Sequence, residues 1–135
     1  MLNKKLKIMV ADDEMLMRGL LTSYLSKDCR HEIYKARDGK EALELYQLHG
    51  KHIDLLFLDI DMPKVDGMEV LKQVRVINPA AYVVIISGIG TLEVVTNAIK
   101  AGVNGFIAKP YTNCKIEESL NNYRKHAARI EAAVA

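Results

Sequence analysis

Apolar side chains along this chain fall into two alternating rhythms. Five short runs, Leu6–Ala11, Glu32–Ala36, Asp54–Asp59, Tyr82–Ser87 and Gly105–Ala108, are mostly aliphatic, and three of them are nearly continuous in apolar residues. A strand covered on both faces reads this way, because no position along it meets water. Between the runs the spacing becomes helical. One stripe is Met17, Leu20, Leu21, Tyr24 and Leu25, and a second is Ala42, Leu45 and Tyr46. Met68, Leu71 and Val74 make a third, and Leu92, Val95, Thr96 and Ile99 a fourth. Asp38-Gly39 and Asp66-Gly67 precede the second and third helices, Asn78-Pro79 follows the third, and Ala101-Gly102 closes the fourth. A fifth helix is predicted from near Asn113. Strand then helix, five times over, predicts a doubly wound α/β domain: a five-stranded parallel sheet with helices on both faces.

The fifth helix carries Ile116, Leu120, Tyr123, Ala127, Ile130 and Val134, spaced alternately by four and three. That is a heptad seam, but under three heptads is short for a coiled coil. The favoured expectation is a helix packed on its own domain with a frayed end after about Lys125. The alternative is a signalling helix leading to an output domain or a dimer partner. Residues 1–122 are read as the domain, and 123–135 as an extension of its last helix that could link to such an output domain.

Composition narrows the class. With 135 residues, 50% hydrophobic and 27% charged, the chain reads as one soluble globular domain, which excludes disordered, collagen-like and disulfide-scaffold classes. The longest apolar run, Ala80 to Ile86, falls well short of the roughly 20 residues a membrane helix needs. The basic cluster Lys4, Lys5 and Lys7 precedes an apolar stretch that ends at once in Asp12-Asp13-Glu14, so it is no signal peptide. A net charge of +2 argues for neither nucleic acid nor a membrane as partner. Cys29 and Cys114 fit no metal or redox spacing and read as reduced thiols of a cytoplasmic protein.

The chemistry gathers where open parallel sheets bind ligands, at the C-terminal ends of the strands. The first strand ends in Asp12 and Asp13, the third in Asp59, the fourth in Ser87-Gly88 and the fifth in Lys109-Pro110. Alone, the acidic pair would serve as a helix cap and Asp59 as a turn acid. Together they form a crowd of carboxylates that a divalent cation would relieve. Oxygen donors without paired His or Cys favour Mg²⁺. Lys109 supplies a point charge that could pair with Asp59 at rest and with a phosphate later. Ser87 and the Gly88 amide supply donors for a phosphoryl oxygen. A carboxylate so placed can attack phosphorus, which points to phosphoryl transfer onto Asp59. His31, His49, His52 and His126 form no ligand set, and Gly88-Ile89-Gly90 is not a nucleotide-binding loop.

Asp12-Asp13, Asp59, Ser87-Gly88 and Lys109-Pro110, with Asp59-Ile60-Asp61-Met62-Pro63, Asp66-Gly67, Ala101-Gly102 and Gly105-Phe106, resemble a two-component response-regulator receiver domain of the CheY-like kind. The resemblance spans about residues 5 to 122. It implies a flavodoxin-like sheet of strand order 2-1-3-4-5, with Asp59 as phosphoacceptor for a sensor histidine kinase or phosphotransfer protein. It implies that Asp13 binds Mg²⁺ directly, that Asp12 acts through water, and that the Asp61 backbone carbonyl completes the protein ligands with Asp59. Ser87 matches the switch hydroxyl, Phe106 the switch aromatic and Lys109 the phosphate-binding lysine, followed by a cis bond to Pro110. The output surface would be helix 4, strand 5 and helix 5. Such a protein is a switch that phosphorylates and dephosphorylates itself rather than a turnover enzyme, with a homodimer on activation left open. Asp61, two residues past the phosphoacceptor, is expected to alter the dephosphorylation rate.

Two rival readings remain. Asp59-Ile60-Asp61 also resembles the nucleophile motif of haloacid-dehalogenase-type phosphatases, with Asp61 as general acid. Against it, Pro63 stands where that family prefers threonine or valine, the acidic pair precedes the nucleophile, and a cap domain has little room. The other rival is a receiver-like binding module that works without phosphorylation.

Overall fold

Strand and helix alternate along the chain in the computed structural model, which describes residues 5–28, 30–62, 64–88 and 92–134. Lys4, Cys29, Pro63, Ile89 and Gly90, named above, lie outside the described residues. The order is β1 (Lys7–Ala11), α1 (Met15–Leu25), β2 (Glu32–Ala36), α2 (Gly39–His49), β3 (Leu55–Asp59), α3 (Gly67–Ile77), β4 (Val83–Ser87), α4 (Leu92–Lys100), β5 (Gly105–Ala108) and α5 (Asn113–Val134), with a short 3₁₀ turn at Gly50–His52. The sheet is parallel throughout, in the order β2-β1-β3-β4-β5. This is the expected doubly wound arrangement.

The near-continuous apolar strands follow from burial on both sides. Met9, Leu56, Leu58, Val83 and Ile85 face a core closed by α2, α3 and α4. Their neighbours Ile8, Val10, Leu55, Phe57, Val84 and Ile86 face the opposite core, closed by α1 and α5. Strand residues alternate between faces, so β3 and β4 can bury every side chain only because both faces are covered.

Helix starts are set by local chemistry. The Asp38 side chain accepts from the Glu41 amide at 2.8 Å to cap α2, and Asp66 accepts from the Glu69 amide at 3.0 Å to cap α3. Gly67 opens α3 where no side chain fits: a Cβ there would lie 2.3 Å from Ile60 Cα and 2.5 Å from the Asp59 carbonyl oxygen. The bare backbone of α3 therefore rests directly on the end of β3. Gly102, at φ 80°, turns the chain out of α4 in the left-handed region that glycine tolerates. Arg75, in the last turn of α3, donates to the carbonyls of Ala81 and Gly102 and to Asn104 Oδ1, which joins the loops before β4 and β5.

Two helices differ from expectation. In α4 the large stripe is not the buried one: Leu92 is 82% exposed and Ile99 68%. The face toward the sheet is made of Ala98, with Val94 and Ala101 packed beside it. Those positions also recur at helical spacing, and their small side chains let the helix lie close, while the larger residues mark the outer face. In α5 no frayed end follows Lys125; the helix runs on to Val134. The extension holds neither glycine nor proline and is rich in alanine, so nothing in it opposes helix. Tyr123 and His126 stack on Tyr82 at 5.1 and 5.0 Å, which holds the helix against the domain to that point. Beyond it, Ile130 and Val134 are exposed.

Two predictions follow from this packing. Gly67→Ala should cost about 2–3 kcal/mol of unfolding free energy, because the clash is with backbone that cannot rotate away; urea melts read it, and an unchanged midpoint would contradict the close approach. The second concerns His31, whose buried Nδ1 accepts the Leu6 amide at 3.1 Å and so is held unprotonated. Burial lowers its pKa most strongly, Asp28 and Glu117 oppose that, and Arg124 and Arg30 add to it. With the folded pKa below the unfolded one, His31 contributes stability above the unfolded value and loses it as pH falls toward the folded value. Relative to His31→Asn, which keeps an acceptor but does not titrate, the wild type should weaken between about pH 7 and pH 5. Parallel denaturant melts across that range would reveal the divergence, and parallel curves would refute it.

Candidate functional site

Parallel strands all end on the same edge of the sheet, so the last residues of distant segments become neighbours. Asp12 follows β1, Asp59 ends β3, Ser87 ends β4 and Lys109 follows β5. The Lys109 backbone amide donates to the Ser87 carbonyl at 2.8 Å, which continues the β4–β5 pairing to the edge. The Lys109–Pro110 bond is cis, as expected. Tyr111, buried just beyond, donates its hydroxyl to the Met17 carbonyl at 2.7 Å and ties this loop to α1.

Lys109 is the centre of the cluster. Its ammonium lies 3.1 Å from Asp59 Oδ2, 3.1 Å from Asp12 Oδ2 and 2.8 Å from Glu14 Oε1. Asp12 is 0% exposed and Asp59 1%. The other Asp59 oxygen, Oδ1, accepts the Asp61 amide at 2.9 Å. The Asp61 carboxylate reaches the buried end of β4, where Ser87 Oγ donates to Asp61 Oδ2 at 3.4 Å. Asp12 does not cap α1: its Oδ1 accepts the Glu14 amide at 2.9 Å, two residues on, and the helix starts after Glu14 without a side-chain cap.

The charges are out of balance. Asp12, Asp13, Glu14 and Asp59 each bring an oxygen to within 4.8 Å of one another, against one ammonium. Burial pushes the Asp12 carboxyl up to about 6; the Glu14 amide and Lys109 pull it back, and the Asp59 charge adds to the rise. Asp13 is raised by burial and then by Asp59. For Lys109, burial favours the neutral form, but hydrogen bonds to Glu14, Asp12 and Asp59 outweigh it and hold its pKa above the ordinary lysine value.

The donor set fits a hard divalent cation. Every candidate ligand is an oxygen, the arrangement is electron-rich, and Asp12 Oδ2 is buried without a well-directed hydrogen bond among the described residues, despite its proximity to Lys109. An orphaned buried carboxylate oxygen is what a cation at this edge would satisfy.

Sequence reasoning located Asp12, Asp13, Asp59, Asp61, Ser87 and Lys109, and the fold brings them to one edge. Phe106 lies on β5, paired in register with Ile85 and half-buried against the core under α2, α3 and α4. Glu14 was not singled out, although it makes the shortest contact to Lys109. Its signal was the third consecutive acid after β1. Tyr111 was also missed; only its place after Lys109-Pro110 could have marked it.

The family model described as "response regulator receiver domain" matches residues 8–121. The chain is similar to the chemotaxis protein CheY of Bacillus subtilis, 33% identical over 115 residues that cover 85% of this chain and 94% of that protein. CheY of Thermotoga maritima is 32% identical over 119 residues, covering 88% and 98%. Among solved structures, a response regulator receiver domain protein from Clostridium thermocellum superposes with a TM-score of 0.85 at 29% identity, covering 93% of this chain and 98% of that one. A CheX-CheY-BeF3-Mg²⁺ complex from Borrelia burgdorferi gives a TM-score of 0.81 at 30% identity, covering 85% and 86%.

In metal-free buffer, Asp12→Asn should raise stability by about 1–2 kcal/mol, because it removes one of the crowded buried charges. Mg²⁺ should stabilise the wild type and stabilise the variant less. Thermal melts with chelator and with Mg²⁺ decide; a wild type indifferent to Mg²⁺ would refute the cation site.

Proposed function

Since the chain belongs to the response regulator receiver domain family, we propose that it is a phosphorylation-driven switch that takes a phosphoryl group onto Asp59 from a phosphohistidine of a sensor kinase or phosphotransfer protein. The observation that carries this reading is the Asp59 carboxylate, buried at the sheet edge with one oxygen on the Asp61 amide and the other on Lys109.

The two contacts fix the Asp59 carboxyl plane and leave it oriented for attack along the open edge. An Asp59 oxygen forms a bond to phosphorus as the phosphorus–nitrogen bond of the donor histidine breaks, and the imidazole leaves with its electron pair and takes up a proton. Lys109 lies within reach of the developing phosphoryl oxygens and offsets their charge. Mg²⁺, held by Asp12, Asp13 and Asp59 with the Asp61 backbone carbonyl, would neutralise further charge on the transferring group. Asp59 burial limits the access of water to the product.

The product adds charge and acceptor oxygens to a buried place. The Ser87 hydroxyl, already at the end of β4, is the donor that would turn toward the new group. Phe106, on the neighbouring β5, would follow into the space released. The consequence would fall on α4, β5 and α5, where Leu92 and Ile99 stand exposed and available to a target or to a second copy on activation. The similar structure from Borrelia burgdorferi, a CheX-CheY-BeF3-Mg²⁺ complex, supports this kind of cycle. The same reading places the protein in the cytoplasm, with no turnover beyond its own phosphorylation and dephosphorylation.

Incubation with acetyl phosphate and Mg²⁺ followed by intact-mass spectrometry tests the proposal. One added phosphoryl mass is expected for wild type, and none for Asp59→Asn or with EDTA. Phosphate release in the same tube is assayed in parallel. Sustained release without a build-up of adduct would favour a phosphatase, and neither adduct nor release would favour a phosphorylation-independent module.

A further inference from the structure

At the edge of the sheet opposite the acidic cluster lies an open groove of about 490 Å³. The loops before β4 and β5 form its walls, and the far part of α5 closes one side. Ala80, Ala81, Ala101 and Ile130 supply an apolar lining, in which Ala81 is buried and Ile130 is 55% exposed. The ionisable lining is entirely basic among the described residues: Arg75, Lys100 and His126.

The charge on Arg75 is uncompensated. Its guanidinium is half-buried, yet every acceptor it reaches is neutral: the carbonyls of Pro79, Ala81 and Gly102, and Asn104 Oδ1. Burial lowers the Arg75 pKa, with Tyr46 opposing, as expected of a cation that has left water without meeting an anion. Lys100, at the end of α4, stands exposed beside it. His126 and Ile130 lie past residue 121, where the match to the family ends, so one wall is built by the extension of α5.

We propose that this groove docks a short acidic segment of a partner protein, seating an aliphatic side chain on the alanine-lined floor with carboxylates against Arg75 and Lys100. The inference stands apart from phosphorylation of Asp59, because the groove lies at the far ends of the strands. The basic lining sets the sign of the occupant, and the apolar floor asks for more than a bare anion. Being open, the groove lets a longer chain continue past it. A nucleic acid fits less well. Three basic groups around one notch neutralise few phosphates, and Tyr82, the ring that His126 stacks on, is also taken by Tyr123.

The probe is a short fluorescein-labelled peptide of glutamate and leucine, with glutamine–leucine and lysine–leucine peptides as controls. Fluorescence anisotropy reads binding to the intact chain at about 50 mM salt, where surface charges are weakly screened. Only the glutamate peptide should saturate, and about 300 mM salt should weaken it. Lys100→Glu should lower its affinity about three- to tenfold and give the lysine peptide a measurable one. Ile130→Ser should cost about two- to fivefold through lost apolar contact. Both positions are exposed, so thermal melts should match wild type. Lys51→Glu, on the same edge but before β3, should change the affinity less than about twofold, because it lies outside the groove.

Four results would overturn the proposal. One is no saturation below about 1 mM, or equal binding of the glutamine peptide. Another is an effect of Lys51→Glu as large as that of Lys100→Glu, which would mean diffuse attraction. Full displacement of the peptide by equimolar inorganic phosphate would mark a small-anion site. Self-association of the wild type without peptide, lost in Ile130→Ser on sedimentation, would make a second copy the occupant.

Discussion

One ammonium among several carboxylates organises this molecule. Lys109 is separated by 97 residues from Asp12 and by 50 from Asp59, so their contacts exist only once β1, β3 and β5 lie in register. Asp12 and Asp59 are both buried, and a buried carboxylate without a partner is strongly destabilising. Lys109 answers part of that cost but not all of it, as the raised pKa values of Asp12 and Asp13 record. The uncompensated negative charge that remains is the kind a divalent cation would relieve.

The scaffold around that cluster is built to resist collapse. The bare backbone of Gly67 props α3 against Asp59 and Ile60, and the Tyr111 hydroxyl fastens the loop after Lys109 to α1. β3 and β4, buried along their whole lengths, supply the rigid floor from which Asp59 and Ser87 project. Repulsion within the site is therefore borne by elements whose apolar packing is independent of it.

The legible features of the sequence were those with a period or with a fixed place on the sheet edge. Strand positions were readable because burial on both faces leaves continuous apolar runs, and Asp12, Asp13, Asp59, Ser87 and Lys109 because each stands where such a run stops. The face of α4 was misread because size was taken for burial, while Ala98 packs inward precisely where Leu92 and Ile99 cannot. Of the two expectations for the end of α5, fraying after about Lys125 is the one that fails: helix propensity carries the extension on to Val134, although the seam leaves the domain at Ile130. Glu14 and the Asp61 side chain carry no periodic mark. Their contacts depend on where Lys109 and Ser87 arrive from other strands, which no local pattern encodes.

The misreading of α4 bears on how a change at the site would spread. Among the described residues of α4, Ala98 alone is buried, whereas α2 and α3 each bury several side chains, including Tyr46 in α2 and Leu71 in α3. Elements with little buried apolar surface shift at low cost. Ser87 stands at the end of β4, the strand that precedes α4, and Phe106 lies on the neighbouring β5. A displacement that begins at Ser87 thus meets less resistance toward α4 than toward any of the better-buried helices. The large apolar side chains that α4 keeps outside are then the ones such a displacement would move. A helix with its bulk turned outward is a poor contributor to the core and a good carrier of a signal, and the two properties have the same cause.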